Sequence, residues 1–326
     1  ANRLKKFLAP TVWHEFTPLA VKSGAVNLGT VSTIIASVTG QGFPGWAPPE
    51  FVTDFADKAL AQVCTRTYSR SEGHLTLANV LGVSPCHHIA AKRYSEKFDR
   101  TIDPLKEVIV TNGSSAVRTG SVFRKLNGSA GDEMVCFEPA FDIYHAQVDM
   151  TGAAVRTVPL FVTANTKGDK QWGFDIDAVA KAFNDKTRVF LLNTPHNPTG
   201  KVFTADELTK LAAIVAKWPK VVCIADEVYE HLTYDGHKHI SFATLPNMFN
   251  RTITCSSGTL LLIAFPAGKT LSVTGWKVGW AIGPAHLIRC LGIVNQWVVF
   301  SVNSVAQIAV ANSLEFALKP YKGWPS

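Results

Sequence analysis

No run of this chain is apolar over the length that crosses a bilayer. The most apolar segment, Leu260 to Phe265, is far too short, and no membrane partner is expected. No secretory signal opens the sequence, because no apolar stretch follows Arg3, Lys5 and Lys6. A cytoplasmic location is expected, with the mitochondrion as the alternative if a cleaved presequence precedes Ala1. Six cysteines (Cys64, Cys86, Cys136, Cys223, Cys255 and Cys290) form no CxxC pair. Zinc spacing is thereby excluded, no metal is expected, and a reducing compartment fits. Cys136 and Cys223 lie in apolar runs and are expected to be buried small hydrophobes. The net charge of +7 comes without any run of Lys or Arg, which argues against a nucleic-acid partner. Internal repeats and low-complexity tracts are absent too. What remains is an ordinary globular composition, 47% hydrophobic and 17% charged over 326 residues. A chain of that length buries a large core as one large domain or two smaller ones.

Along the chain, helical and strand-like segments alternate. Residues 1–50 form an irregular arm rich in Gly and Pro. Glu50 to Leu60 reads as an amphipathic helix. Strands are predicted at Val108–Thr111, Glu133–Phe137, Ala153–Val158, Val189–Leu192 and Val221–Ala225, and from Ile253 onward. Helices are predicted from Asn112-Gly113-Ser114-Ser115 to about Leu126, and at Asp142–Met150 and Ile176–Phe183. Another begins at the N-cap residue Thr204. Continuous apolar strands separated by helices indicate an α/β fold with a mostly parallel sheet covered on both faces. Polar motifs then fall at strand C-termini, the edge where open α/β sheets bind ligands.

Four motifs recur at that edge in a fixed order: Asn193 to Gly200, Asp226 to Tyr229, Gly268-Lys269-Thr270 and Gly275-Trp276-Lys277. Each has a bland reading. Asp226 suits a helix cap, Asn193 and Asn197 suit a proline-rich turn, and Lys269 suits a solvated surface. Taken together they supply what a pyridoxal phosphate site needs. Asp226 provides a carboxylate for the pyridine nitrogen, which keeps the ring an electron sink. Asn197 donates to the ring oxygen. Asn193 contacts a substrate carboxylate or positions its loop. A lysine with a lowered pKa takes the aldehyde. A nucleotide-binding P-loop is excluded, because Ile263 stands where that motif needs glycine. Lys277 and the amides of Gly113, Ser114 and Ser115 before a helix are phosphate candidates. Chemistry alone does not decide which of Lys269 and Lys277 forms the Schiff base. Phe141 follows a strand and either stacks on the cofactor ring or joins the core. His87 and His88 read as a solvated helix face.

These residues resemble the aspartate-aminotransferase-type enzymes, and within them the kynurenine aminotransferases, also called cysteine-S-conjugate β-lyases or glutamine transaminase K. The matching segments are Val12-Trp13, Val26 to Gly29, Gln41 to Pro44, Glu138 to Tyr144, Asn193 to Phe203, Asp226 to Tyr229, Tyr234 to His237 and Thr274 to Gly283. The resemblance implies a pyridoxal-phosphate-dependent transferase fold whose large domain holds a mostly parallel seven-stranded sheet. It implies transamination of amino acids with 2-oxo acids, with β-lyase activity where Cβ carries a leaving group. By this resemblance Lys269 is the Schiff-base lysine and Lys277 the phosphate-binding one. Asp226 is the ring-nitrogen partner, Tyr229 and Asn197 hold the ring hydroxyl, and Phe141 stacks. Ser114 and Ser115 form the phosphate turn. Trp13, Gly42 and Asn193 line the substrate pocket. Tyr68 reaches the cofactor of a second copy, which implies a homodimer.

The sequence departs from the family in four places. Residues 30–40 interrupt the segment that ends in Gln41-Gly42-Phe43-Pro44. Residues 258–265 interrupt the approach to Lys269. A retained non-coding sequence would produce such inserts, and sequencing the transcript tests that reading. Pro266 replaces a phosphate-binding serine and offers neither hydroxyl nor N–H. The family continues past the position of Ser326 with the arginine that grips the substrate α-carboxylate. The expected division is an arm and part of a small domain over 1–50, a cofactor-binding large domain over 51–295, and the start of a return to a largely truncated small domain over 296–326. The alternative is a non-catalytic homologue without that arginine.

Overall fold

The computed structural model describes residues 18–19, 22–23, 47–61, 85–114, 131–164, 170–257, 271, 273–299 and 301–316. Nine strands lie among them: β1 (Val108–Asn112), β2 (Glu133–Glu138), β3 (Ala154–Pro159), β4 (Phe161–Ala164), β5 (Lys170–Gly173), β6 (Thr187–Asn193), β7 (Val222–Asp226), β8 (Thr252–Ser257) and β9 (Val278–Ile282). Seven form one sheet in the order β1-β9-β8-β7-β6-β2-β3, and β4 pairs with β5 in a separate hairpin. The run from β8 to β3 is parallel, while β9 is antiparallel to both of its neighbours, β1 and β8.

The helices α1 (Glu50–Ala61), α2 (Pro85–Phe98), α3 (Ile143–Thr151), α4 (Ile176–Ala182), α5 (Ala205–Ala216), α6 (Ala285–Val298) and α7 (Ser304–Phe316) cover both faces. Strand pleating explains the division. Phe190 and Leu192 join Leu208, Leu211 and Val215 of α5 on one face. Val189 and Leu191 join Tyr144 and Val148 of α3 and Leu287, Ile288 and Leu291 of α6 on the other. Consecutive residues of one strand thus serve two cores, which is why Val189 to Leu192 is a continuous apolar run.

A third cluster joins α1 to α7. Phe51 of α1 and Val310 and Leu314 of α7 pack with Tyr94 of α2 and with Val108, Val110, Trp280 and Ile282 of the sheet. The segment assigned from sequence to the return toward a second domain therefore contributes α7 to the core that also holds α1.

Local signals set the helix ends. Thr204 Oγ1 accepts from the Glu207 amide at 3.3 Å, and Glu207 Oε2 accepts from the Thr204 amide at 2.8 Å. This reciprocal cap satisfies two amides that the first turn of α5 leaves open. Gly152 ends α3 at φ 86°, a left-handed conformation suited to glycine.

Within α2 the expected solvated histidine pair is corrected. His87 is buried at 2% exposure, whereas His88 faces outward. His87 shares a helical face with Ala90, Ala91 and Tyr94, the i, i+3, i+4, i+7 spacing of a core-facing stripe. Cys136 and Cys223 are buried, and burial pushes both thiols up to about 12.

Candidate active site

Parallel pairing brings the carboxyl ends of β6, β7 and β8 to one edge. Asn193 lies beside Asp226, and Asp226 beside Cys255. Antiparallel pairing turns β9 so that its start meets the ends of β1 and β8, with Val278 opposite Asn112 and Gly279 opposite Ser257. Asn193, Asp226, the turn after Asn112 and Lys277 thus share that edge.

Asp226 is 2% exposed at the end of β7. Its Oδ2 accepts a hydrogen bond from the Tyr144 hydroxyl at 2.6 Å. Sequence reasoning gave Tyr144 no role. The available signal was its position three residues after Phe141 at the head of a helix, where i and i+3 side chains are neighbours. The rings of Phe141 and Tyr144 meet edge to face at 5.7 Å.

The loop after β6 is braced from within. Asn193 Nδ2 donates to the Asp226 carbonyl at 2.8 Å and to the Pro195 carbonyl at 3.1 Å. Its Oδ1 accepts from the Asn197 amide at 2.6 Å. These bonds hold the loop in shape. The loop then delivers Asn197, whose Nδ2 donates to the Tyr229 hydroxyl at 3.3 Å. His196 sits beneath it, with Nδ1 at 2.8 Å from Thr199 Oγ1. Burial, and then nearby Lys201, lower the His196 imidazole to about 4, so the ring stays neutral near pH 7. Lys201 Nζ ties the loop to the β4–β5 hairpin and to α5 through the Trp172 carbonyl at 2.8 Å and Glu207 at 2.6 Å.

On the other side of the edge, Gly113 turns the chain at φ 70° into Ser114. Gly279 allows β9 to run directly under this turn. A Cβ there would lie 2.6 Å from both the Gly113 carbonyl carbon and the Ser114 nitrogen. Lys277 adopts φ 54°, and its Cδ would stand 3.9 Å from a Cβ at Gly113. The turn and the lysine therefore lie side by side, and Gly279 is a second position that sequence reasoning missed.

Lys269, Ser115, Tyr68, Trp13, Gly42, Pro266 and the inserts at 30–40 and 258–265 lie outside the described residues. The donors among the described residues have a clear chemistry. A buried carboxylate, a phenol paired with an amide, and a glycine turn of backbone amides beside a lysine fit a charged pyridine ring bearing a hydroxyl and a phosphate.

A seven-stranded, mostly parallel sheet with these donors at its carboxyl edge has the pyridoxal-phosphate-dependent aminotransferase fold. Residues 49–320 match the family model for aminotransferase class I and II, and the chain belongs to that family. Enzymes of this class generally depend on pyridoxal phosphate, act on amino and oxo acids and are generally dimeric. Among curated relatives, kynurenine--oxoglutarate transaminase of Dictyostelium discoideum is 40% identical over 94% of this chain and 65% of its own length. Kynurenine--oxoglutarate transaminase 3 of Mus musculus is 38% identical over 96% of this chain and 62% of its own length. The structure of N-succinyldiaminopimelate aminotransferase from Mycobacterium tuberculosis superposes with a TM-score of 0.78 at 32% identity, covering 97% of this chain and 72% of that one. The chain spans 62–66% of the length of the curated relatives it matches. No helix among the described residues is long and apolar enough to cross a membrane.

Proposed function

We propose that this chain is the cofactor-binding part of a pyridoxal-phosphate-dependent aminotransferase. It would exchange amino groups between amino acids and 2-oxo acids in the manner of kynurenine--oxoglutarate transaminases. The observation that carries the reading is Asp226, a buried carboxylate at the end of a central parallel strand, hydrogen-bonded by Tyr144 and flanked by the Asn197–Tyr229 pair. The chemistry such a cofactor supplies when bound is an aldehyde for amine exchange and a ring that draws electrons from the substrate's Cα bonds.

This chain's own residues do the rest. The Asp226 carboxylate holds a proton on the pyridine nitrogen, and Tyr144 orients that carboxylate. Tyr229 and Asn197 hold the ring hydroxyl and fix the tilt of the ring. Phe141 covers one ring face. Gly113, Ser114, Ser115 and Lys277 bind the phosphate, with backbone amides and an ammonium as donors. Lys269 would be the attachment lysine, and its amine would move the proton at the substrate Cα. Trp13 and Gly42 belong to the substrate pocket, and Tyr68 to the contact with a second copy in a homodimer. Where the substrate carries a leaving group at Cβ, the same loss of the Cα proton permits elimination. Cys136, Cys223 and Cys290 are free thiols, which supports a reducing compartment, the cytoplasm or alternatively the mitochondrion.

The test is an absorbance spectrum of the purified chain with added pyridoxal phosphate, followed by borohydride reduction and peptide mapping. A visible band trapped on Lys269 is expected. Label spread over surface lysines, or no band, overturns the reading.

A further inference from the structure

The turn that carries Asp226 and Tyr229 also carries two acids that the proposed chemistry does not use. Glu227 is fully buried, and Glu230 is nearly so. Asp226 and Tyr229 are three residues apart and serve the cofactor side. Glu227 and Glu230, displaced by one residue, reach a separate buried cluster.

Glu227 Oε1 accepts from the Ser241 hydroxyl at 2.8 Å and from the Phe242 amide at 3.0 Å. Its Oε2 lies 2.9 Å from His239 Nε2 and 3.4 Å from Lys97 Nζ. Glu230 Oε1 accepts from Tyr94 at 2.8 Å and from Ser256 at 3.3 Å, and its Oε2 accepts from Lys97. One ligand atom each of Glu227, Glu230 and His239 fall within 4.8 Å of one another, a spacing that also suits a metal ion. The cation among them, however, is the ammonium of Lys97, from the end of α2.

We propose that Lys97 is a positioning residue, whose one ammonium is shared by Glu227 and Glu230 and so fixes the turn that presents Asp226 and Tyr229. The meaning of that presentation rests on the cofactor reading above.

The charges around the cluster come from three elements. They are Arg93, Tyr94 and Lys97 of α2, Glu227, Glu230 and His231 of the turn, and His239 of the segment that follows. Burial, the largest single influence, raises both carboxyls, but Lys97 together with His239, and for Glu230 also His231, outweighs it, and Glu230 is held down at about 2. Burial also lowers the Lys97 ammonium, and the two carboxylates outweigh it in turn. Lys97 and the two carboxylates it bridges are therefore all charged across the neutral range.

Removing the shared cation reverses this. Two buried carboxylates that face each other without it cannot both ionise cheaply, so one takes up a proton. The turn then keeps its shape at low pH and loosens as pH rises through that raised carboxyl pKa. A role in packing alone has no such pH signature.

The experiment compares the wild-type chain, Lys97→Met and Lys97→Met/Glu230→Gln. Backbone hydrogen exchange is read without cofactor at about pH 5.5 and about pH 8.5, on either side of a raised carboxyl pKa. The reporters are the Glu230 and Leu232 amides, which bond to the Glu227 and Tyr229 carbonyls at 2.9 and 2.7 Å. Pyridoxal phosphate affinity is measured in parallel.

Wild-type protection factors are expected to be flat. In Lys97→Met they fall about tenfold from the lower to the higher pH, the cofactor affinity falls with them, and Glu230→Gln restores both. Equal protection at both pH values in Lys97→Met overturns the proposal. A Lys97→Met chain too unstable to measure, with a folded double variant, supports it. Failure of both to fold overturns it, because packing rather than charge is then what Lys97 supplies. If the wild-type chain binds no pyridoxal phosphate, the cofactor reading fails, and the exchange data still decide the clamp.

Discussion

Under the proposed function Asp226 faces a ring nitrogen and needs its orientation fixed, and a phenol 2.6 Å away on a different element holds it. A hydrogen bond to a charged acceptor contributes about 1.5–3 kcal/mol, or roughly ten- to a hundredfold in rate where the oriented form is the active one. Tyr144→Phe is expected to lower kcat/KM by about tenfold while leaving the fold intact, since the ring remains in its core. Unchanged kcat/KM would show that the hydroxyl does not orient Asp226. His196 makes a second prediction at this scale. Its imidazole falls from 6.5 to about 4 on folding. Below about pH 6.5 the unfolded chain takes up a proton that the folded chain refuses, so stability is fully present above that pH. It is lost as pH falls toward about 4, by about 3 kcal/mol in all. Urea unfolding at about pH 7 and about pH 5 should show His196→Asn losing less stability than the wild type over that interval, by about 2 kcal/mol. Identical losses would mean that His196 is not the group that refuses the proton.

Element by element, the sequence was most readable where one signal sufficed. Val189–Leu192 of β6 and Val222–Ala225 of β7 are unbroken apolar runs that lead into Asn193 and Asp226, so strand and burial could be read together. The cap of α5 was visible in Thr204 and Glu207. β9 was not assigned, because its five residues include Gly279 and follow directly on the Gly275-Trp276-Lys277 motif. Its strand character is supplied by pairing with β1 and β8. The β4–β5 hairpin escaped for another reason: Phe161, Val162 and Ala164 are all exposed, and no alternation marks an inner face. Within the site, the residues on strand ends and in tight motifs were legible one by one. Gly279 was not, since its need for a missing Cβ comes from a turn more than 160 residues earlier. The Lys97 cluster was equally hidden. Its partners stand 130 and 133 residues away, and nothing in the α2 sequence separates Lys97 from a solvated lysine.

For the molecule as a whole, the arrangement of cores decides which parts unfold together. α7 sits against α1 and α2, and the rings of Phe51, Phe55 and Phe316 meet at 5.0 to 6.5 Å. Leu314 of α7 is fully buried in that cluster. The same cluster takes Val108, Val110, Trp280 and Ile282 from β1 and β9, the two strands that meet at the Gly113 turn. Damage in α7 should therefore reach the site edge through Trp280 rather than remain local. Leu314→Ala is expected to cost about 2–5 kcal/mol, the range for emptying a buried leucine site. Chemical denaturation followed by far-ultraviolet circular dichroism and by tryptophan fluorescence should give one shifted transition by both probes. Two separated transitions in the variant would mean that α1, α2 and α7 unfold apart from the parallel sheet. A coincident transition together with weakened cofactor affinity would mean that the third core holds β1 and β9 in place, so that helices far from Asp226 in sequence help set the geometry of the Gly113 turn.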